Sequence, residues 1–265
     1  MNILLILLIV SLLVSAVGWK YFIYFFSLGY GYGIAALALT LVIIYHNFLT
    51  PATIALCAAL FIFGCRLGTY LLLREKRATA YRKILYADTK KKPLFVIITV
   101  WLFCALLYVA QVSPVAFRLA NTADGMVVNP RWAWIGAGLI VLGTTVEALA
   151  DKQKSAAKKV NPKRFVDTGL YRIVRCPNYL GELIIWTGAL VSGIWSGFGT
   201  FEWTIVGIGY AGIVFVMFSG ARRLELRQDE VYGNDPEYQA YIKKTPIIIP
   251  LIPLYSVKKH KWLVA

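Results

Sequence analysis

The sequence has very few of the residues that bind metal ions or form disulfide frameworks. Histidine occurs only as His46 and His260, and no two cysteines form a Cys-x-x-Cys pair. The four cysteines are Cys57, Cys65, Cys104 and Cys176. Zinc sites and disulfide frameworks need such residues at close, regular spacing. The sequence therefore predicts no metal site and no disulfide framework.

Acidic residues are also scarce, with 13 Asp and Glu against 28 Lys and Arg, which gives a formal net charge of +15. In a soluble chain such an excess indicates nucleic-acid binding. This chain is instead 59% hydrophobic, with a mean hydropathy of +0.65, which is typical of a polytopic membrane protein. Membrane proteins retain Lys and Arg on their cytoplasmic side, and that retention explains the excess. We therefore predict an all-α integral membrane protein, surrounded by lipid, with no nucleic-acid partner.

Seven apolar segments predict seven transmembrane helices. They are Ile3 to Val17, Tyr30 to Phe48, Pro51 to Leu73, Pro93 to Phe117, Trp132 to Ala150, a sixth that begins at Pro177, and Trp203 to Ser219. The first could be the core of a signal peptide, but no basic residue precedes it and no clear cleavage site follows, which favours a retained span. The glycines of SLGYGYG, at the start of the second, predict close packing on a neighbouring helix.

Proline and glycine predict where these helices break. The fourth span is expected to be interrupted near Gln111 and Pro114, and a short loop from Arg118 to Arg131 should follow it. Gly193 and the glycines after it mark the exit of the sixth span. Beyond the seventh span an amphipathic helix should end at the turn from Asn234 to Pro236, with a second short helix after it.

The distribution of Lys and Arg predicts the orientation. An outside N-terminus and a cytoplasmic C-terminus put 25 of the 28 basic residues on the inner side, mainly in 74–92, 152–175 and 222–261. This asymmetry is the one expected of membrane proteins. We predict one membrane domain with a substrate-side half, 1–130, and a cofactor-binding half, 131–265. The membrane would be a bacterial inner membrane, or the endoplasmic reticulum in a eukaryote.

The chain is organised around the stretch FVDTGLYRIVRCPNYLGELIIW, from Phe165 to Trp186. Pro177 is typical of the first position of a helix. The first turn of that helix offers unpaired N–H groups and a positive dipole end, and Arg172 and Arg175 precede it, so the arrangement favours phosphate binding. Helical spacing places three side chains on one face, with Tyr179 beside them: Asn178, Glu182 and Trp186. The alternative is a loop whose arginines meet lipid headgroups, with Glu182 paired for structure.

Other ionisable residues fall within predicted spans. Arg66 lies in the third span, where an arginine needs an acidic partner or a polar cavity. Tyr70 lies one turn further along the same face. Glu147, Asp151 and Lys154 could share one face at the end of the fifth span, as binding residues or as solvated charges at a helix end.

Four segments of the chain resemble the steroid 5-alpha-reductase family, and more closely its bacterial relatives. They are RLGTYLLLR, EALADKQ, TGLYRIVRCPNYLGE and EYQAYIKKTPIIIP, in order over about 180 residues. The same superfamily contains isoprenylcysteine carboxyl methyltransferases, whose corresponding segment reads Arg-His-Pro-x-Tyr. Here Cys176 stands where that histidine would be, and the run from Asn178 to Glu182 is similar to the reductases.

The resemblance implies a seven-helix fold with NADPH in a cavity open to the cytoplasm. Hydride would pass to the β-carbon of a carbon–carbon double bond conjugated to a ketone, in a steroid-like or isoprenoid lipid, while an acid polarises the carbonyl oxygen. The implied cofactor residues are Glu147, Asp151, Arg172, Arg175, Asn178, Tyr179 and Glu182, with Arg74, Lys159 and Arg164 for its phosphates and Arg223, Tyr238 and Tyr241 as further candidates.

The chain departs from the family at the substrate ketone. Animal steroid enzymes carry a Gln-Glu pair in an early span that is absent here, which leaves Tyr70, with Arg66 nearby, as the candidate proton donor or electrophile. Glu182 is expected to help seat the nicotinamide. Two other functions remain open: an S-adenosylmethionine-dependent methyltransferase of the isoprenylcysteine carboxyl type, and a non-catalytic lipid-binding protein on the same fold.

Overall fold

A computed structural model describes residues 2–77 and 92–263, and within these ranges the protein has helices and no strands. The helices are α1 (Ile3–Ser15), α2 (Leu28–Ile44), α3 (Pro51–Arg77), α4 (Leu94–Ala123), α5 (Pro130–Val160), α6 (Pro177–Ser192), α7 (Thr200–Tyr232) and α8 (Pro236–Lys244). The prediction of an all-α protein is therefore confirmed for the described residues. Most of the predicted basic loop from Arg74 to Lys92 lies outside them.

Among the residues that the structure describes, five helices are long and apolar enough to cross a membrane, which indicates an integral membrane protein. They are Phe22–Ile44, Pro51–Lys76, Leu94–Ala123, Pro130–Val160 and Thr200–Tyr232. The apolar helix Ile3–Trp19 is shorter than these five, and α6 has 16 residues. Seven spans, and the orientation of the chain in the membrane, stay predictions.

Prolines begin several of these helices, because a helix needs no N–H at its first position. Pro51, Pro130, Pro177 and Pro236 each open one. Before Pro236, Asp235 caps α8 by accepting a hydrogen bond from the backbone N–H of Glu237 at 2.8 Å. The predicted helix start at Pro177 and the predicted break before Pro236 are both confirmed.

The predicted interruption of the fourth span is wrong. Helix α4 runs unbroken from Leu94 to Ala123 with Pro114 inside it. Proline lacks the N–H that would bond to the carbonyl of Ala110, and the Ser113 hydroxyl donates to that carbonyl at 2.8 Å. A side chain thus replaces the missing backbone bond, and the helix continues.

The predicted loop from Arg118 to Arg131 is also wrong in its first part. Arg118 lies inside α4 and is 1% exposed. Its Nη1 donates to the Ser192 carbonyl at 2.8 Å and to the Ser196 hydroxyl at 2.7 Å, and its Nη2 donates to the Asn129 carbonyl. Neutral acceptors from two later segments therefore hold this guanidinium in place.

The chain divides into two compact units. The first comprises the described residues of Met1–Ile140 and Thr187–Tyr210, and the second those of Val141–Trp186 and Ala211–Ala265. In the first unit α2 packs on α3, which confirms the close packing predicted from the glycines of α2. A Cβ on Gly31 would lie only 2.5 Å from the backbone N of Gly68, so the two helices could not approach this closely with a larger residue at position 31. The predicted cofactor residues other than Arg74 fall in the second unit, and the functional division at residue 130 stays a prediction.

Candidate cofactor-binding site

The second unit is built around a close crossing of α5 and α6. A Cβ on Gly181 would lie 2.7 Å from the Gly143 carbonyl oxygen and 2.9 Å from the Cβ of Glu147. Only two glycines allow the two backbones to approach this closely. Because of this contact, the carboxylate-bearing end of α5 runs beside the first turns of α6.

The crossing brings together predicted residues from both helices. Glu147 is 3% exposed next to Gly181, and Asp151 follows one turn later, half-buried. On α6, Glu182 is buried, and Asn178 is half-buried one turn before it. The structure thus places four of the predicted polar side chains on adjoining stretches of α5 and α6.

Tyr179 connects α6 to α7. A Cβ on Gly220 would lie 3.1 Å from its hydroxyl oxygen, so the phenol packs against α7 where that helix has no side chain. Arg223, which is exposed, lies close to the same hydroxyl. The neighbouring Ser219 is buried, and its hydroxyl has no hydrogen-bond partner within the described part of the chain. The local sequence around Ser219 gives no signal that would predict a role for this hydroxyl.

Arg175 is not at the surface of the unit. It is 3% exposed, and its Nη2 lies 3.0 Å from Oε1 of Glu225, which is equally buried, and also donates to the Tyr255 carbonyl. The other oxygen of Glu225 accepts from the backbone N–H groups of Val257 at 2.9 Å and Lys258 at 3.1 Å. This guanidinium therefore binds the C-terminal segment of the chain, and its predicted phosphate contact stays a prediction.

A cavity of about 770 Å³ opens between α8 and the loop that leads to α6. Its lining comprises Arg164, Asp167, Thr168, Gly169, Arg172, Glu237, Ala240, Tyr241, Lys244 and Thr245. Three of these residues were predicted to bind cofactor: Arg164, Arg172 and Tyr241. Cavities of this size hold small molecules and cofactors, so the structure joins part of the predicted set into one concave site.

Some of the charged side chains that line the cavity form ion pairs with one another. Arg164 lies over the ring of Phe165 and forms ion pairs with Asp167 at 2.9 Å and with Glu237. Hydrogen bonding to Glu237, and then to Asp167, raises the pKa of this guanidinium above its ordinary value. Arg172 and Lys244 are exposed cations on the same wall. These two remain the groups best placed to meet an anion from solvent.

Two predicted tyrosines hold the cavity wall together. The hydroxyl of Tyr241 donates to the Tyr171 carbonyl at 2.7 Å, and that of Tyr238 donates to Asp229 at 2.9 Å. Burial raises the pKa of both phenols above the ordinary value, and for Tyr238 the bond to Asp229 adds to it. Both are therefore neutral hydrogen-bond donors, and Tyr241 also lines the cavity.

The remaining predicted residues lie elsewhere. Lys159 is exposed near the end of α5. Tyr70, Arg66 and Arg74 are on α3 in the first unit, where the Arg74 guanidinium lies 5.8 Å from the Tyr70 ring. Within residues 2–77 and 92–263, no group of three His, Cys, Asp or Glu side chains could hold a metal ion.

Lys244 and Glu237 were missed by the sequence argument, although a signal for them exists. Tyr241 is a predicted cofactor residue on a predicted short helix, and residues four before and three after it share its face. That spacing gives Glu237 and Lys244, which line the cavity. Glu225 could not be found in this way, because it is 50 positions from Arg175.

The comparison with known families agrees with this picture. The sequence profile of a family described as a protein of unknown function (DUF1295) matches residues 25–245. The chain belongs to this family. The family is steroid 5-alpha-reductase-like, so the resemblance seen in the four sequence segments is confirmed.

Individual relatives match over parts of their length. The chain is 38% identical over 77 residues to the steroid 5-alpha-reductase DET2 of Gossypium hirsutum and 34% identical over 81 residues to that of Arabidopsis thaliana. Each match covers 28% of this chain, and 30% and 31% of the two plant proteins. An uncharacterized protein of Schizosaccharomyces pombe is 28% identical over 178 residues, 60% of this chain and 50% of the yeast protein. No solved structure matches the chain significantly.

Proposed function

We propose that this family member is an NADPH-dependent membrane reductase, which reduces the carbon–carbon double bond of a conjugated enone in a steroid-like or isoprenoid lipid. The observation that carries the proposal is the cavity in the second unit, which combines Arg164, Arg172 and Tyr241 with a volume of about 770 Å³. The similarity to plant steroid 5-alpha-reductases supports the reaction class. Apolar spanning helices support a substrate that partitions into the membrane.

The residues of the cavity fit the anionic end of a dinucleotide. Arg172 and Lys244 carry positive charge at the open wall, and charge-assisted hydrogen bonds to phosphate are among the strongest that proteins make. Arg164 is held in place by Asp167 and Glu237, so its guanidinium is preorganised. These three cations would bind the phosphate groups of the cofactor.

The residues at the α5–α6 crossing fit the other end. Asn178 and Glu182 lie one turn apart on α6, and an amide with a carboxylate can hold a carboxamide through complementary hydrogen bonds. Ser219 and Tyr179 add hydroxyl groups to the same unit. When bound, NADPH supplies the hydride that adds to the β-carbon of the enone. Asn178 and Glu182 would fix the orientation of its nicotinamide ring.

The first unit would hold the substrate. Tyr70 would donate a hydrogen bond, and then a proton, towards the carbonyl oxygen as enolate charge develops, with Arg66 nearby to stabilise that charge. Both roles are assigned from the position of the two residues on α3, one helical turn apart. A methyltransferase or a non-catalytic lipid-binding protein would need none of this chemistry.

Cofactor binding provides the first test. Purified full-length protein should bind NADPH, and Arg172→Ala and Lys244→Ala should each weaken binding about tenfold, because one charge-assisted contact contributes roughly 1.5 kcal/mol or more. Lys243→Ala is the matched control, since this exposed lysine neighbours Lys244 but does not line the cavity. If the wild type and the three variants bind NADPH with equal affinity, the cofactor does not bind in this cavity.

The reaction class is tested by isotope transfer. Wild-type protein should transfer deuterium from 4-deuterated NADPH to a steroidal or isoprenoid enone, and Glu182→Gln should slow this sharply, because small misplacements of reacting atoms can cost about 100-fold in rate. Transfer of a methyl group from S-adenosylmethionine to a lipid carboxylate, with no deuterium transfer to any enone, would establish the methyltransferase instead.

A further inference from the structure

A short basic segment lies against α7 in the second unit. It comprises residues 258–263, which read KKHKWL. Arg222 on α7 holds both ends of the basic segment, because its Nε donates to the Lys258 carbonyl at 3.2 Å and its Nη1 donates to the Leu263 carbonyl at 3.1 Å. The backbone N–H of Leu263 also donates to the His260 carbonyl at 3.0 Å. The basic segment is therefore a folded turn that is attached to α7.

The side chains of the basic segment divide between a buried and an exposed face. Leu263 is 2% exposed, as is Val257 just before the segment. Lys259 and Lys261 are exposed, and Trp262 is 66% exposed. Tryptophan is enriched at the boundary between lipid and water, because its ring is apolar and its N–H is polar. The exposed face therefore combines positive charge with a side chain that is typical of a membrane interface.

The position of Trp262 along α7 places it near the end of an apolar stretch. Its ring centroid lies 6.2 Å from that of Phe215, which is itself 39% exposed. No charged residue occurs between Glu202 and Arg222, so this part of α7 has the composition of a membrane-embedded helix. Phe215 precedes Arg222 by about two turns of helix, or 10 Å. Trp262 thus packs beside the apolar part of α7, whereas Arg222 binds the segment where the charged part begins.

Lys259 and Lys261 differ from Lys258 in their pairing. Lys258 forms an ion pair with Asp229 at 2.7 Å, whereas neither of the other two lysines forms one in the described part of the chain. Residues 238–265 contain no Asp or Glu. Each Lys near a bilayer of anionic lipids strengthens binding about fivefold. The predicted orientation puts this end of α7 on the cytoplasmic side, where anionic lipids make the membrane surface negative.

We propose that the basic segment binds anionic phospholipid headgroups, with the Trp262 ring in the membrane interface and with Lys259 and Lys261 paired to lipid phosphates. The partner is the bilayer around α7 and not a soluble anion, because Trp262 packs beside the apolar part of a helix that is long enough to cross a membrane. The inference does not depend on the reductase proposal, since none of these residues lines the cavity.

Site-specific crosslinking tests both the depth of the segment and its preference for charge. The full chain, with p-benzoylphenylalanine in place of Trp262, would be irradiated in nanodiscs of equal parts dioleoyl phosphatidylglycerol and dioleoyl phosphatidylcholine, and its lipid adducts would be identified by mass spectrometry. Adducts with phosphatidylglycerol, which is anionic, should exceed those with zwitterionic phosphatidylcholine about fivefold or more. The positional control is the same crosslinker in place of Val231, which is 63% exposed and lies more than two turns beyond Arg222 on α7. It should form few lipid adducts.

Charge variants separate headgroup binding from mere proximity to lipid. With the crosslinker at position 262, Lys259→Gln combined with Lys261→Gln should bring the two kinds of adduct to within about twofold of each other, while the total number of lipid adducts persists. Lys163→Gln combined with Lys243→Gln removes the same charge from exposed positions outside the segment and should leave the ratio unchanged. Three outcomes would each overturn the proposal: no more lipid adducts at position 262 than at position 231, equal adducts with both lipids when all the lysines are present, or the same ratio in the two double variants.

Discussion

The ion pair between Arg175 and Glu225 should control the stability of the second unit. Both side chains are 2% exposed, and Nη2 and Oε1 are 3.0 Å apart. Removing one member of a buried pair leaves the other charge uncompensated, which costs about 3–5 kcal/mol. We therefore expect Arg175→Met and Glu225→Gln each to lower the free energy of unfolding by roughly that amount.

A double-mutant cycle isolates the pair. In the double variant no unpaired charge remains, so its loss should be smaller than the sum of the two single losses by roughly 1–3 kcal/mol. Part of the cost should persist, because Val257 and Lys258 donate to the Glu225 carboxylate. The measurement is an SDS unfolding titration in mixed micelles, with all four proteins compared under the same conditions.

The matched control is the exposed pair between Arg164 and Glu237, in the same unit. Their side chains are 42% and 67% exposed, and solvated pairs contribute about 1 kcal/mol or less. Glu237→Gln should therefore change the free energy of unfolding little. Two outcomes would refute the claim that burial makes the Arg175–Glu225 pair important. One is a double variant whose loss in the free energy of unfolding equals the sum of the two single losses. The other is a loss for Glu237→Gln as large as that for Glu225→Gln.

Three further outcomes are expected. Gly181→Ala should destabilise the protein by about 1–3 kcal/mol, because the added methyl group overpacks against Gly143. Gly138→Ala is the control and should not destabilise it, because a Cβ at that position has no neighbouring atom within 4 Å. Thermal unfolding in detergent, followed by circular dichroism, would compare the two variants. Burial raises the pKa of the Cys176 thiol to about 12, so the thiol stays protonated at pH 8 and iodoacetamide should spare it until the protein unfolds. Because the unfolded thiol ionises at lower pH than the folded one, stability should fall as the pH rises above about 9. Reporter fusions after Lys159 and at the C-terminus should both report cytoplasm, and an extracytoplasmic signal from either would contradict the predicted orientation.

The sequence was most informative where one residue determines local geometry. Pro177 opens a helix where predicted, and the chain breaks before Pro236 as predicted, because proline tolerates the first position of a helix and disrupts later ones. The same rule failed at Pro114, where the hydroxyl of Ser113 replaces the lost backbone bond. A proline within an apolar run therefore indicates a break only when no nearby side chain can donate to the freed carbonyl.

Charged residues were harder to place from sequence. Arg172 and Arg175 are three positions apart in a basic loop, and both were predicted to face phosphate. In the structure Arg172 is exposed on the cavity wall, whereas Arg175 is buried against Glu225. Arg175 is buried because it binds the Glu225 carboxylate on α7 and the Tyr255 carbonyl in the C-terminal segment. Neither contact can be predicted from the residues next to Arg175 in the sequence.

This difference changes how a loss of binding at the two arginines must be interpreted. Backbone N–H groups of Arg175 and Cys176 donate to the carbonyls of Pro246 and Ile247 at 2.9 and 2.8 Å, so the C-terminal segment is attached at the start of α6 by backbone as well as by Arg175. Replacing Arg175 would loosen that attachment and weaken cofactor binding indirectly, together with stability. Replacing Arg172, which is exposed, removes a charge from the cavity without disturbing its wall. Weaker NADPH binding at unchanged stability is therefore the signature of a direct phosphate contact, and it is expected for Arg172→Ala and not for Arg175→Met.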